Sequence, residues 1–582
     1  MTTSTSMKLL FHRLVILLLM MGTDVAIAQT VATQGVIVSG SKWTDTNGKR
    51  IQAHGGGILM RDDTYYWYGE DKTLGNYNKT GVSCYSSKDL LTWKHEGVVL
   101  PKEKLPIEFQ DKGVCERPKV IYSPATKKYV MWMHLDTANY SAATAGIAVA
   151  DSPGGPFEYL GAKRPIKFDG GRPSEKGSTY RDMNLFVDDD GQVYVFYSGE
   201  GNSTMYISRL NREFTGVEEP VVEGKTWSRN FIGASREAPA PFKSRGKYFI
   251  FTSGCTGWEP NPAEYAVADS ILGPWTRKGN PCVGKDSETT FRSQPTFVLP
   301  APGQPDGNFI FMADRWFGGN EDSRYVWLPF TVRADNSIVL EYLPDWDFSI
   351  FNKKPFDPTV VPKLTLTPAP TNSAALSAKL SWIPVLGADF YRVYRNGFNK
   401  GATRTVEFED LDLAKGQLYI YEVEAATIQG GNSRSSVNFS TGPMTDTYLS
   451  DIKPDFCTQS YGSLTRDKTV GHKKITLGEK EFTKGLGVHA NSVLVYVLHG
   501  NYRRFTAWVG ADKSKPGTVE FSVVCDGREV FKSGLMKSAM EPVQVIVDLK
   551  GVNELKLVVD DGGDGNGSDH ANWAEAKIEY AP

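Results

Sequence analysis

Cysteine is scarce in this sequence, at six residues in 582. Cys84, Cys115, Cys255, Cys282, Cys457 and Cys525 are scattered and offer neither a disulfide framework nor a CxxC or Cys/His zinc spacing. In an exported chain Cys255 with Cys282 is the first candidate bridge, and free buried thiols are the alternative. Charge of one sign is missing too. The 65 Lys and Arg against 67 Asp and Glu leave a net charge of −2, which argues against nucleic acid or an anionic membrane as partner. Long apolar runs are absent beyond the N-terminus. There Met7-Lys8 and Arg13 precede an apolar run from Leu14 to Met21, and Ala26-Ile27-Ala28 supplies small residues before Gln29. This reads as a signal peptide over 1–28, too short in its apolar part for a membrane span. No Cys follows the cleavage site, which counts against a lipid anchor. The expectation is an exported chain, periplasmic or secreted.

Aromatic residues and glycine are plentiful: aromatics make up 12 %, with 13 Trp, 26 Tyr and 57 Gly. That composition suits an all-β protein. It suits either sheet cores or stacking on sugar rings. A strand phrase recurs: Thr64-Tyr65-Tyr66-Trp67-Tyr68, Lys128-Tyr129-Val130-Met131-Trp132, Val193-Tyr194-Val195-Phe196-Tyr197, Lys247-Tyr248-Phe249-Ile250-Phe251 and Asn308-Phe309-Ile310-Phe311-Met312. A second phrase, Ala150-Asp151-Ser152-Pro153-Gly154-Gly155-Pro156-Phe157, returns as Ala268-Asp269-Ser270-Ile271-Leu272-Gly273-Pro274-Trp275. Repeats of roughly 60 residues, each with several short strands, predict a five-bladed β-propeller over 29–358. Two stacked β-sandwiches are the competing arrangement. Residues 359–372 are rich in Pro and Thr and read as a linker. Over 362–443, alternating strands around a hairpin turn at Asn396-Gly397 resemble a fibronectin type III β-sandwich. Over 446–582, Gly485-Leu486-Gly487-Val488-His489-Ala490 and Trp573-Ala574-Glu575-Ala576-Lys577-Ile578 resemble the NPCBM class of carbohydrate-binding module, a second, jelly-roll-like β-sandwich.

Four acids stand at strand ends in different repeats: Glu70, Glu116, Asp182 and Glu237. Any one alone fits a solvated surface acid. Placed once per repeat, they fit convergence on one axial site. Hydrolysis of a glycosidic bond needs such a set: a protonated carboxyl beside the leaving oxygen and a group that activates water across the ring. Carboxyls beside apolar strands can hold that proton, because desolvation raises their pKa.

The span from Val36 to Val332 resembles glycoside hydrolase family 43, and within it the exo-β-1,3-galactanases that degrade the backbone of arabinogalactan. The matching phrases include Gln52-Ala53-His54-Gly55-Gly56-Gly57, Trp67-Tyr68-Gly69-Glu70-Asp71-Lys72, Cys115-Glu116-Arg117-Pro118, Arg181-Asp182, Arg236-Glu237-Ala238-Pro239, Thr256-Gly257-Trp258-Glu259-Pro260-Asn261, Ser293-Gln294 and Asp314-Arg315-Trp316. The resemblance implies an inverting enzyme that releases galactose, with Glu237 as general acid and Asp182 as the neighbour tuning it. It implies that Glu70 and Glu116 bind sugar hydroxyls and that Tyr140, Trp258, Asn261, Asp314 and Trp316 line the pocket. Arg181 and Arg315 would hold the carboxylates in place. One departure matters. The family's usual base is the Asp of an Ala-Asp-Pro phrase, and this chain reads Ala53-His54-Gly55. In the galactanase subgroup a glutamine is proposed instead, matched here by Gln294. An amide is a poor base, so either an imidic-acid form of Gln294 or a carboxylate such as Glu116 must act.

His54 fits a sugar contact or a structural role. No acidic cluster in the first 358 residues demands a metal, and no cofactor is required. The run Asp560-Asp561-Gly562-Gly563-Asp564-Gly565-Asn566-Gly567-Ser568-Asp569 could take Ca²⁺ or form a solvated loop, and it lacks the EF-hand spacing. In the same module His489, Asn572 and Trp573 are candidate galactose contacts. The competing functions are a β-xylosidase or α-L-arabinofuranosidase of the same family, and a non-catalytic galactan-binding protein.

Overall fold

A computed structural model describes residues 35–75, 81–110, 112–170, 174–304, 306–317, 322–352, 356–368, 376–432, 434–459, 461–538, 540–563, 565 and 567–581. The expected signal peptide lies outside these residues. Among the described residues the regular structure is nearly all β-strand, with only short 3-10 turns as helix, and no helix is long and apolar enough to cross a membrane.

Five antiparallel sheets follow one another from His54 to Thr331. The first four have four strands each, beginning at His54–Arg61, Val114–Ser123, Arg181–Val187 and Arg236–Ser244. The fifth has three, beginning at Gln294–Pro300. The first strand of each sheet packs against that of the next, and the fifth returns to the first. The ring is therefore closed. The repeated aromatic phrase is the second strand of every sheet: Thr64–Asp71, Lys128–Asp136, Val193–Gly199, Lys247–Gly254 and Asn308–Arg315. These strands read as continuous apolar runs because sheets cover both of their faces. In Lys128–Asp136 every residue after the first is buried. At the seam, Ile37–Val38 pairs with Asp345–Trp346, and the Ser39 amide donates to the Pro344 carbonyl at 2.9 Å. The two ends of the segment are thus joined.

All five inner strands carry a register break near the same end. The breaks fall at His54/Gly57, Glu116/Lys119, Arg181/Met183, Glu237/Ala240 and Pro295/Phe297. The sequence marks three of them with proline, as Arg117-Pro118, Ala238-Pro239 and Gln294-Pro295, since proline is tolerated where the ladder is already broken. A bulge re-aims the side chain beside it. In the second to fifth sheets the bulge lies beside a polar residue that lines the cavity at the ring's mouth: Glu116, Asp182, Glu237 and Gln294.

Two further β-units follow. The first faces Leu364–Pro368, Leu376–Trp382 and Glu407–Leu413 against a sheet built on Phe390–Arg395 and Leu418–Thr427, over a core of Leu380, Trp382, Val393 and Tyr421. The expected two-residue hairpin is present, with Arg395 opposite Phe398 and both Asn396 and Gly397 at positive φ. The last unit faces two sheets of five and six strands across a core of Leu486, Val488, Phe505, Phe521 and Trp573.

The expected Cys255–Cys282 bridge does not form. All six cysteines are free. Cys282 is buried among Phe291 and Leu340 on a short strand paired with Leu340–Glu341, whereas the Cys255 thiol points to the Ser235 carbonyl at 3.2 Å at the ring's mouth. The two belong to different layers.

Candidate active site

At the bulged end of the ring lies a cavity of about 420 Å³. Every sheet supplies part of its wall: Glu70 from the first, Glu116 and Tyr140 from the second, Arg181 and Asp182 from the third, Glu237 and Trp258 from the fourth, Gln294 and Trp316 from the fifth. Four acids separated along the chain thus meet in one well.

Glu237 is its most perturbed member. Burial, and then the negative charge of Asp182, push its carboxyl up to about 8, against the opposing pull of Arg117 and of hydrogen bonds from Cys255 and Gln294. Asn202 Nδ2 donates to Oε2 at 3.2 Å and Gln294 Nε2 to Oε1 at 2.9 Å. A carboxyl that keeps its proton at neutral pH, with its orientation fixed, can act as a general acid. Asp182 accepts from the Ala238 amide at 3.1 Å, beside the acid it perturbs.

Arg117 ties these groups together. Its Nε lies 2.9 Å from Asp182, its Nη1 donates to the Pro295 carbonyl at 3.0 Å, and its Nη2 donates to Gln294 Oε1. Its backbone amide donates to Glu70 Oε1 at 3.2 Å. Burial would lower the guanidinium's pKa, but Asp182, Glu237, Glu70 and Glu116 together raise it. One buried cation therefore sits among four acids.

On the first sheet, Glu70 Oε2 is 3.2 Å from Lys72 Nζ, which lies 4.9 Å from the ring centres of both Trp258 and Trp316. The two indoles meet edge to face at 5.5 Å. A buried cation behind aromatic walls holds the rings by cation–π attraction and leaves them lining the well. Gly55 explains the local sequence. It has φ +60°, and a Cβ there would sit 2.7 Å from Glu70 Oε1. The phrase Ala53-His54-Gly55 makes room for the Glu70 carboxylate.

Glu116 takes a hydrogen bond from the Tyr140 hydroxyl at 3.0 Å and lies 3.2 Å from His134 Nδ1; His134 Nε2 lies 3.1 Å from Asp136. One ligand atom each of Glu116, His134 and Asp182 lie within 4.8 Å of one another, a spacing a metal ion could use. Both ring nitrogens of His134 face carboxylates, and Asp182 faces Arg117. The donor set is committed to hydrogen bonds.

The family model described as glycosyl hydrolases family 43 matches residues 54–296, and that of the NPCBM/NEW2 domain matches 445–579. An exo-β-1,3-galactanase from Clostridium thermocellum is 30 % identical over 70 % of this chain and 87 % of its own, with a TM-score of 0.52. A GH43 β-1,3-galactosidase is 33 % identical over 61 % and 74 %, with a TM-score of 0.50. This chain belongs to glycosyl hydrolase family 43. It is a glycoside hydrolase, and it carries an NPCBM domain. Among curated proteins it is 22 % identical to a β-D-galactofuranosidase of Aspergillus niger, over 38 % of this chain and 64 % of the relative. The chain spans less than two thirds of the length of the curated relatives it matches.

Within this family 43 site, several residues sit elsewhere than the sequence suggested. Asn261 does not line the well; its amide donates to Thr256 Oγ1 at 2.6 Å and holds the Trp258 turn. Asp314 accepts from the Gly55 amide at 2.7 Å beneath the first bulge, and His54 is wholly buried with Nε2 2.8 Å from Gln52. Both support the wall from behind. Arg315 turns away to the Phe291 carbonyl and the Tyr342 ring, in a second cavity beside the middle unit. Sequence reasoning missed Arg117, Lys72, His134 and Asp136. The His134-x-Asp136 spacing was a usable signal, because alternate strand residues share a face.

In the NPCBM domain Trp573 is a core residue, fully buried against Phe521 and Phe505. It cannot stack on a sugar. Strand alternation puts His570 and Asn572 on the other face, where Asn572 is also fully buried. His489 is nearly buried, 5.2 Å from His570 and 5.3 Å from Tyr461, whose ring is exposed. Tyr461 and His570 are ring neighbours of His489 that the sequence did not single out. Of the candidate Ca²⁺ run, Asp560 and Asp561 accept from the Gly562 and Gly563 amides at 3.0 Å, and Asp569 accepts from the Thr518 amide at 3.0 Å. Asp564 and Asn566 lie outside the described residues.

Proposed function

We propose that this protein is an exported, inverting exo-β-1,3-galactanase that releases galactose from the non-reducing end of the β-1,3-galactan backbone of arabinogalactan. The carrying observation is Glu237: a buried carboxyl, pushed up to about 8 beside Asp182, at the floor of a well walled by all five sheets. A well closed on five sides accepts a chain end, whereas an internal cut needs a groove open at both ends. Trp258, Trp316 and Tyr140 supply apolar faces for one terminal sugar, and Glu70 and Glu116 supply acceptors for its hydroxyls. Glu237 gives its proton to the departing oxygen. Asp182 keeps that proton in place until then. Relatives titled exo-β-1,3-galactanase and β-1,3-galactosidase support the substrate.

The same reading divides the chain into a signal peptide over 1–28, a five-bladed propeller over 29–358, a fibronectin III-like spacer over 362–443 and a sugar-binding NPCBM module over 446–582. The closed ring of five sheets and the two facing sheets of the middle unit support it. Incubation with β-1,3-galactan, an aryl xyloside and an aryl arabinofuranoside, with products followed by proton NMR, tests the reading. Galactose appearing first as the α-anomer is expected. Release of xylose or arabinose would move the chain to another family 43 specificity, and binding without release would make it a lectin-like protein.

A further inference from the structure

Inversion requires a group that removes a proton from water on the sugar face opposite the acid, with carboxyl pairs typically about 6.5–9.5 Å apart. Gln294 is badly placed for this. Its amide nitrogen donates to Glu237 at 2.9 Å, so it stands at the acid's own side. Its carbonyl oxygen accepts from both Arg117 Nη2 and Trp316 Nε1, the latter at 2.9 Å. An amide carbonyl has two lone pairs, and both are taken. Reversing the amide would aim its N–H groups at a guanidinium and an indole, so the network fixes its orientation.

Glu116 has what Gln294 lacks. It comes from the second sheet and Glu237 from the fourth, with Asp182 of the third between them. A carboxylate is a far stronger base than an amide and offers about four acceptor sites. Its seat is prepared by the neighbouring strand. Glu116 and His134 are direct cross-strand partners, and His134 and Asp136 are 1 % and 0 % exposed. Burial lowers the His134 pKa, but hydrogen bonds to Asp136 and Glu116 outweigh it and the imidazole is raised above 6.5. Asp136 holds the far ring nitrogen at 3.1 Å and is itself 3.7 Å from Arg181 Nε, so the imidazole is fixed between two carboxylates and seats Glu116 in one orientation. Glu70, the other acid opposite, is 1 % exposed and has Lys72 at 3.2 Å. That oxygen is already held by a permanent cation.

We infer that Glu116, seated by the His134–Asp136 pair, takes the proton of the attacking water, and that Gln294 serves to hold Glu237. This rests on the galactanase reading above. Water oxygen bonds to the anomeric carbon, and the bond to the departing sugar breaks with its electron pair on the leaving oxygen. That oxygen takes the Glu237 proton, and the water proton goes to Glu116. Both carboxyls then exchange with solvent. His134 is a positioning residue.

Azide attacks without needing a base, so it separates the candidates. With an activated aryl β-galactoside, Glu116→Ala and Glu116→Gln are expected to lose roughly 10²–10⁴-fold in kcat. Added azide should restore Glu116→Ala and yield α-galactosyl azide. His134→Asn should lower kcat with KM little changed, and azide should restore it. Gln294→Ala should not be restored, and its alkaline pH limit should move because Glu237 has lost a donor. Azide rescue of Gln294→Ala in place of Glu116→Ala, no azide product from Glu116→Ala, or Glu116→Gln within tenfold of wild type would each overturn the assignment. A wild type that cleaves the aryl galactoside but not β-1,3-galactan would overturn the substrate reading alone.

Discussion

Glu237 decides how activity and stability respond to pH. In its proposed role as the acid it must be protonated, so kcat/KM should fall as pH rises through about 8. Asp182→Asn removes the like charge and frees Arg117 to act on Glu237, and both effects lower the acid's pKa. The alkaline limit of the pH–rate profile should therefore move to lower pH, and an unchanged limit would mean that Asp182 does not tune the acid. Glu237→Gln should lower kcat on galactan by roughly 10²–10⁴-fold while leaving oligosaccharide binding measurable by calorimetry. The same residue burdens the fold. A carboxyl whose folded pKa is raised contributes its full stability below its unfolded pKa and loses it as pH rises towards the folded value, about 1.4 kcal/mol per pH unit. The window runs from the ordinary 4.5 up to about 8. Glu237→Gln should therefore melt higher than wild type, with the gap widening from pH 5 to pH 8. Most of the acids were legible in the sequence because carboxyls at strand ends are conspicuous. Arg117 and His134 were not, because their role appears only when three sheets close around them.

At the scale of strands, the backbone leaves little freedom around the acids. Gly69, between Tyr68 and Glu70, passes directly over the first bulge, and a Cβ there would lie 2.0 Å from the Ala53 carbonyl carbon. That neighbour is backbone and cannot turn aside. Gly69→Ala should cost roughly 1–3 kcal/mol or more as overpacking and displace Glu70 with it. A lowered melting midpoint together with a raised KM is expected, and a variant of wild-type stability would show that the first two strands can part. The sequence announced the second strand of every sheet, because strands covered on both faces must be continuously apolar and aromatic. It also announced the turn repeated at Gly155-Pro156 and Gly273-Pro274, which joins the outer strands of the second and fourth sheets. The inner strands were harder to read. Their pattern is broken by bulges and by the polar residues those bulges aim inwards, so period-two reading fails where function sits.

Contacts between units left almost no trace in the sequence, since they join surfaces far apart in the chain. One of them is an ion pair. Arg392 of the middle unit meets Glu341 beside the fifth sheet through Nε to Oε1 at 2.6 Å and Nη2 to Oε2 at 3.0 Å. Both side chains are nearly buried, and Phe390 and Ala426 pack into the same propeller-side core as Trp346 and Ile350. The NPCBM domain is tied in turn through Lys400 Nζ to the Asp455 carbonyl at 3.0 Å. Burial lowers the Lys400 ammonium to about 8, so the last unit is held by a neutral or charged amine according to pH. A buried pair adds little net stability over apolar side chains, but breaking one partner strands the other charge, at about 3–5 kcal/mol. Arg392→Met alone should therefore lower the melting midpoint clearly and loosen the middle unit. Adding Glu341→Met should recover part of the loss, because one stranded carboxylate goes with it while Glu424, 3.3 Å from Arg392 Nη1, remains. Calorimetry of the two variants, with kcat on an aryl galactoside as control for the active site, separates an ion pair that joins the units from a contact that only fills space. In the second case the two variants would melt alike.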